Sequence, residues 1–306
     1  MKKVKYFGIF IAILSIFACQ KEIILDFSKH HTETVFIEGM LYPNKKPQIF
    51  ISKSNPFFGT KVSPQEVFAR GAVVKITSDS KVDVLVVDSI FNKFRCRWEP
   101  FYRGNIVAEY GKTYTLDISF EGKIYTASTT INQKAPIIAK IEYTANFVDS
   151  YGSHDGVIID ITDHAGRQDF YRFQMNRLID TSVKHAHVLD VFVNTCVSKD
   201  ELFPITDIGR IIFTDENADG QKIRMPIEVT FEYEKGDEGW IFMQALDKNS
   251  AAFYKDLDDQ LQAIQNPFVE PVFIKTQIKG AVGVFGSAVL SDSVRFVYPQ
   301  IGRAHV

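Results

Sequence analysis

The sequence predicts a mainly β protein, with two β-sandwich domains of immunoglobulin or fibronectin type in tandem and one amphipathic helix in the second. Three observations predict this. Aromatic residues make up 13% of the chain, with 26 Phe and 12 Tyr against 5 Met, a bias toward side chains that fit a pleated sheet. Short apolar runs punctuated by turn residues recur from Val35 onward, at the spacing of sandwich strands. The length is 306 residues, and a single core stops growing at roughly 250 to 300 residues, so two domains are expected. Basic residues number 35 and acidic residues 37. This balance supplies no positive field for a phosphate backbone, and nucleic acid is excluded as a partner.

The chain opens with Lys2, Lys3 and Lys5, followed by an apolar run from Tyr6 to Ala18. This is the charged and hydrophobic pattern of a secretory signal, and it falls short of the roughly 20 apolar residues that a spanning helix needs. Residues 1–18 are therefore read as a signal peptide. Ile16-Phe17-Ala18-Cys19 resembles a bacterial lipobox, which implies cleavage before Cys19 and lipidation of that residue. Several acyl chains would hold the protein firmly to a membrane while its domains stayed in water. Gln20-Lys21-Glu22 is similar to the charged export signal of surface-displayed lipoproteins of Bacteroidota, and residues 19–33 are expected to form a tether.

The first sandwich is placed at residues 34–132. Its runs are VFIEGML, QIFISKS, AVVKITS and VDVLVVDSIF. Tyr114, Leu116, Ile118 and Phe120 alternate with polar neighbours, so one face of that strand is buried and the other wet. Glu121-Gly122-Lys123 then turns the chain into the strand from Ile124 to Thr129, forming a hairpin. Gln133-Lys134-Ala135-Pro136 marks a boundary. The second β-rich domain, residues 136–299, carries IIAKIEYTA, VIIDITD, DFYRFQMNRL, VLDVFVN, GRIIFTD and IEVTFEYE. Its helix is predicted over residues 250–265, where Phe253, Leu257, Leu261 and Ile264 form one stripe, Ser250 caps the start and Asn266-Pro267 ends it. The stripe is expected to pack on the sheet. Residues 301–306 back-translate as ATC GGA AGA GCA CAC GTC, the string of a sequencing-library adapter, and are read as an artefact.

Few residues point to chemistry. Cys96 and Cys196 are the cysteines left beside Cys19. An oxidising compartment would allow them to pair, whereas 100 residues of separation across two expected domains favours two separate buried thiols. His185-Ala186-His187, with Asp190 nearby, would share one strand face but lacks a further ligand. Asp215-Glu216-Asn217-Ala218-Asp219-Gly220 matches the first half of an EF-hand loop, yet Pro226 stands where the bidentate Glu belongs and the flanks resemble strands. A hairpin turn is the preferred reading. Nucleophile-elbow, zinc-protease and phosphate-loop motifs are missing from the sequence, and Gly280 to Gly286 leads into a strand-like stretch. Asp160 with Asp163, or Asp258 with Asp259, would serve a glycosidase only at a cleft separation that sequence does not reveal. No catalytic residue, cofactor or metal is assigned. Trp98, Tyr102 and Trp240 are the candidate ligand-binding residues, since flat aromatic faces suit sugars.

Together these pieces resemble the Bacteroidota lipoprotein family known as domain-of-unknown-function 4249. The residues that carry the resemblance are Cys19 with its charged successors, the VFIEGML and QIFISKS strands, EYGKTYTLDISFEGKIYTAST, DENADGQ, and above all FYKDLDDQLQAIQNPFVEPVFIKTQIKGAVGVFG. Thr276-Gln277 and Ala281 depart from the family pattern of Ser-Asn and a second Gly. The resemblance implies a non-enzymatic accessory lipoprotein of the outer membrane, facing the exterior and partnering a TonB-dependent barrel in nutrient capture. A free-standing glycan-binding or adhesive module is the alternative.

Overall fold

The computed structural model describes residues 31–56, 62–149, 152–179, 196, 201–228, 236–265 and 268–299. Cys19, Gln20, Lys21, Glu22, His185, His187, Asp190 and residues 300–306 lie outside them. The chain divides into two units, and nearly all described residues belong to the one formed by Glu33–Ser54 and Val62–Val306.

In chain order this unit holds β1 (Val35–Leu41), β2 (Gln48–Lys53), α1 (Pro64–Val67), β3 (Val73–Ser78), β4 (Lys81–Val84), β5 (Val86–Asn92), β6 (Arg97–Arg103), β7 (Thr113–Phe120) and β8 (Lys123–Thr130). It continues with β9 (Ile137–Asp149), β10 (Gly152–Thr162), β11 (Phe170–Ile179), β12 (Phe203–Ile208), β13 (Phe213–Thr214), β14 (Lys222–Glu228), β15 (Glu238–Leu246), α2 (Lys248–Gln265), β16 (Val282–Leu290) and β17 (Val294–Val297). The fold is mainly β. A ten-stranded sheet runs β12-β11-β15-β16-β1-β2-β6-β5, with β13 beside β11 and β17 beside β15. A four-stranded sheet, β4-β3-β7-β8, and a three-stranded sheet, β14-β10-β9, complete the set.

Local sequence explains the individual strands. In β1 Val35, Ile37 and Leu41 are buried while Phe36 and Glu38 face outward, the alternation of a half-wet strand. In β7 Tyr114, Leu116, Ile118 and Phe120 are all buried. β7 and β8 form the expected hairpin, closed from Phe120 to Lys123 by Glu121 and Gly122. Both turn residues have positive φ, 47° and 74°, which is the two-residue geometry that matches strand twist.

Two apolar cores result. The first packs Ile37, Leu41, Ile49, Ile51 and Phe285 of the large sheet against Val74, Ile76, Leu116, Ile118 and Tyr125 of the four-stranded sheet. The second packs Tyr171, Phe173, Met175, Ile241 and Met243 of the large sheet against Val157, Ile159, Ile161 and Met225 of the three-stranded sheet. The large sheet is common to both. β16, from the region expected to form the second domain, lies parallel to β1 from Phe36↔Val282 to Leu41↔Ser287 and so completes the first core. The boundary at Gln133–Pro136 thus separates the small sheets but not the large one. Glycine permits the close approach at this pairing. Gly283 has φ of 147°, and a Cβ there would overlap the carbonyl oxygen of Ile37. Gly286 leaves room for the Ser250 side chain at the start of α2.

The helix expectation is corrected in two respects. Asp247, not Ser250, caps α2, accepting from the backbone N–H of Asn249 at 3.0 Å and Ser250 at 3.1 Å. Its second oxygen accepts from the Ser287 N–H at 2.7 Å, which fixes the helix start to β16. The predicted stripe is buried at Phe253 and half-buried at Leu257, but Leu261 and Ile264 are exposed. Beyond the helix the chain doubles back along it, with Val272 N–H donating to Gln260 at 2.6 Å and Lys275 N–H to Asp256 at 3.0 Å.

The cysteines are also corrected. Cys96 and Cys196 form a disulfide, with Cα atoms 5.6 Å apart. Cys96 sits in the β5–β6 turn, where Lys93 pairs with Glu201 at 2.5 Å and Phe94 packs on Ile179 and Phe203. Sequence separation concealed a contact made where the β5–β6 turn packs on the end of β11 and the start of β12.

Candidate functional site

Four aspartates gather where the chain crosses twice between the sheets of the second core. Asp163 to Asp169 lead from β10 into β11, and Asp215 to Gln221 lead from β13 into β14. The two crossings are stitched together by backbone hydrogen bonds, Asp163 N–H to the Gln221 carbonyl at 3.1 Å and Asp215 N–H to the Asp169 carbonyl at 3.4 Å. β13 pairs with β11 and β14 with β10. The hairpin read from the sequence at Asp215–Gly220 is therefore an intersheet connection instead.

One oxygen from each of Asp163, Asp215 and Asp219 lies within 4.8 Å of the other two. Asp163 accepts from the Gly220 N–H at 2.8 Å and from the Tyr171 hydroxyl. Asp219 accepts from the Gly166 N–H at 2.8 Å. Asp169, 1% exposed, pairs through Oδ1 with Arg167. Asp215 is 2% exposed, and the Oδ2 atoms of Asp169 and Asp215 have no hydrogen-bond partner among the described residues. An orphaned buried acceptor costs about 1–3 kcal/mol. Burial raises the pKa of the Asp169 carboxyl above the ordinary carboxylate range, opposed by Arg167 and reinforced by the charges of Asp163 and Asp215. The Tyr171 phenol is pushed far up by burial and by its bond to Asp163. Asn217 and Gly220, both at positive φ of about 70° (71° and 70°), give the loop its tight curl.

The aromatic candidates are not equivalent. Tyr102 is 2% exposed; its hydroxyl donates to the Ala69 carbonyl at 2.7 Å and accepts from the Ala72 N–H at 3.0 Å. It is a core residue with a satisfied hydroxyl, which removes it as a ligand platform. Trp98 is 52% exposed and packs beside its cross-strand neighbour Phe91, ring centroids 5.3 Å apart. Trp240 is exposed on β15 opposite Asn176 and Arg295.

The carboxylate pairs considered for hydrolysis are engaged elsewhere. Asp160 accepts from Arg224 at 2.9 Å and Asp259 from Lys255 at 2.6 Å. A shallow depression lined by Asp79, Asp83, Lys112 and Tyr114 uses Asp83 structurally, as acceptor for the N–H groups of Asn105 at 2.6 Å and Ile106 at 2.9 Å. A buried polar network beneath α2 escaped sequence reasoning. The Arg172 guanidinium lies 4.1 Å from the Tyr254 ring centre and donates to Gln244 at 2.9 Å. Gln244 in turn donates to Gln174 at 2.7 Å, and Tyr254 donates to Glu38 at 3.0 Å. The Tyr254 ring face and the Gln244 amide oxygen compensate the buried cation.

The family model described as Domain of unknown function (DUF4249) matches residues 20–292. The chain belongs to this family. That span takes in the first core, the second core except for Phe296 and the flanking Tyr298, the four aspartates of the crossing and the whole of α2. No curated protein matches the chain.

Proposed function

We propose that this DUF4249 protein is a surface-exposed outer-membrane lipoprotein, anchored through Cys19, that assists a TonB-dependent transporter in nutrient capture without catalysing a reaction. The observation that carries the reading is an apolar surface at the end of α2 and in the segment that doubles back along it. Phe268 is 96% exposed and Phe273 91%, and Ile264, Val269 and Leu261 are exposed with them. Hydrogen bonds from Val272 and Lys275 to the helix hold that segment in place. Exposed apolar side chains gathered in one short stretch mark a protein or membrane partner. A barrel embedded in the membrane beside the lipid anchor is the partner this reading names.

The disulfide favours the same address, because such bonds persist outside the reducing cytosol. Among the described residues no helix is long and apolar enough to cross a membrane, and the anchor in this reading is the lipid. The test is extraction of the native protein from outer membranes in mild detergent, followed by mass spectrometry of what accompanies it. A stoichiometric TonB-dependent barrel is expected; recovery as a free monomer overturns the proposal. The half-exposed Trp98 with Phe91 beside it favours one second reading, a glycan-binding module. Glycan-array binding that disappears in Trp98→Ala, with the fold retained, is its expected signature.

A further inference from the structure

The geometry points to a calcium site at the crossing between β10–β11 and β13–β14, with Asp163, Asp215 and Asp219 as carboxylate ligands. It would staple the two sheets of the second core. The loop Asp215-Glu216-Asn217-Ala218-Asp219-Gly220 presents oxygen-bearing side chains at its first, third and fifth positions and Gly at the sixth, the order in which calcium loops supply ligands. An EF-hand completes its shell from position twelve of the same loop. Here that position is Pro226, within β14, and the missing carboxylate arrives from a different crossing as Asp163. Three oxygens within 4.8 Å of one another lie within reach of a single divalent ion, and a cage of several protein carboxylates suits calcium, since magnesium is usually held by one or two carboxylates with waters and substrate phosphates.

Two further features point to a cation. The Asp215 carboxylate is nine-tenths buried or more, belongs to this cluster of converging oxygens, and leaves Oδ2 without a hydrogen-bond partner among the described residues. The charge is also unbalanced: among the described residues the four carboxylates at positions 163, 169, 215 and 219 face one paired cation, Arg167, which serves Asp169. Hydrogen bonds to Gly220, Gly166 and Tyr171 orient Asp163 and Asp219 without neutralising them. On the reading that the domain is exported, the site belongs with extracellular calcium modules, whose dissociation constants are about 10⁻⁴ to 10⁻³ M.

The experiment uses the purified full chain, stripped with chelator. Terbium is added first, because Tyr171 beside Asp163 can sensitise its luminescence, and calcium is then titrated against it, with isothermal calorimetry in parallel. Expected are one saturable site, displacement of terbium by calcium, and a rise in Tm of about 5 °C or more at a calcium concentration about 100 times Kd. Asp219→Asn keeps an acceptor for Gly166 and removes one charge. It is expected to weaken calcium at least about tenfold while leaving the Tm in chelator within about 2 °C of wild type. Asp215→Asn is expected to abolish binding. The inference is overturned by an unchanged Tm with no calorimetric heat, by magnesium acting as strongly as calcium, or by calcium binding that neither variant alters.

Discussion

The two cores share one sheet yet are closed by different physics. At the first, β16 pairs with β1 so closely that a Cβ on Gly283 would overlap the Ile37 carbonyl, and the closure rests on backbone pairing and close approach. At the second, the chain crosses between sheets through four aspartates, two of them with orphaned buried oxygens. One closure depends on a close backbone approach, and the other, on the calcium proposal above, on what neutralises its charge. On the calcium proposal the fold places its ion-sensitive element at this one corner, where the chain crosses between two sheets.

The largest effect that tests this comparison is expected at Gly283. Gly283→Val adds side-chain atoms against β1 at a positive φ and should cost about 4 kcal/mol or more, read as a collapse of the urea midpoint. A loss under about 1 kcal/mol would contradict the close-approach role. Next comes the disulfide, which joins the β5–β6 turn to the segment before β12. Replacing both Cys96 and Cys196 by Ser should cost about 2–4 kcal/mol, and dithiothreitol should lower the Tm of the wild type but not that of the variant. Tyr171→Phe removes the donor to Asp163 and should cost about 1–2 kcal/mol in a chelator-treated sample, a direct gauge of how far the polar corner depends on its internal donors. Smallest is Trp98→Ala, whose half-exposed ring should change stability by no more than about 0.5 kcal/mol; a larger loss would make it structural and weaken the glycan reading.

Local order was legible in the sequence, and long-range pairing was not. The β7–β8 hairpin followed from the alternation of Tyr114 to Phe120 and the turn at Glu121-Gly122, because both the strand period and the turn chemistry are local. The helix was visible for the same reason. Its capping residue was misplaced because Asp247 is also an acceptor for Ser287 of β16, a partner that periodicity does not reveal. The exposed end of the stripe was missed because a period of 3.6 shows which residues share a face, not how far along the helix the sheet extends. Tyr102 was mistaken for a surface ring because β6 buries Pro100, Phe101 and Tyr102 in succession, without the alternation that separates faces. The acidic corner showed half of itself in the loop from Asp215 to Gly220. The other half, Asp163, is 57 residues from Gly220, to which it bonds, and only the crossing of two sheets brings them together.

The most direct test of the proposed role compares the wild type with a Phe268→Asp, Phe273→Asp double variant, both captured from mildly solubilised outer membranes. Both side chains are almost fully exposed, so the substitutions should leave folding and anchoring intact. The wild type is predicted to bring down a TonB-dependent barrel in stoichiometric amount, and the variant to stay in the membrane fraction but lose the barrel. Recovery of both proteins alone, or of both with the same barrel in equal amount, would contradict the account.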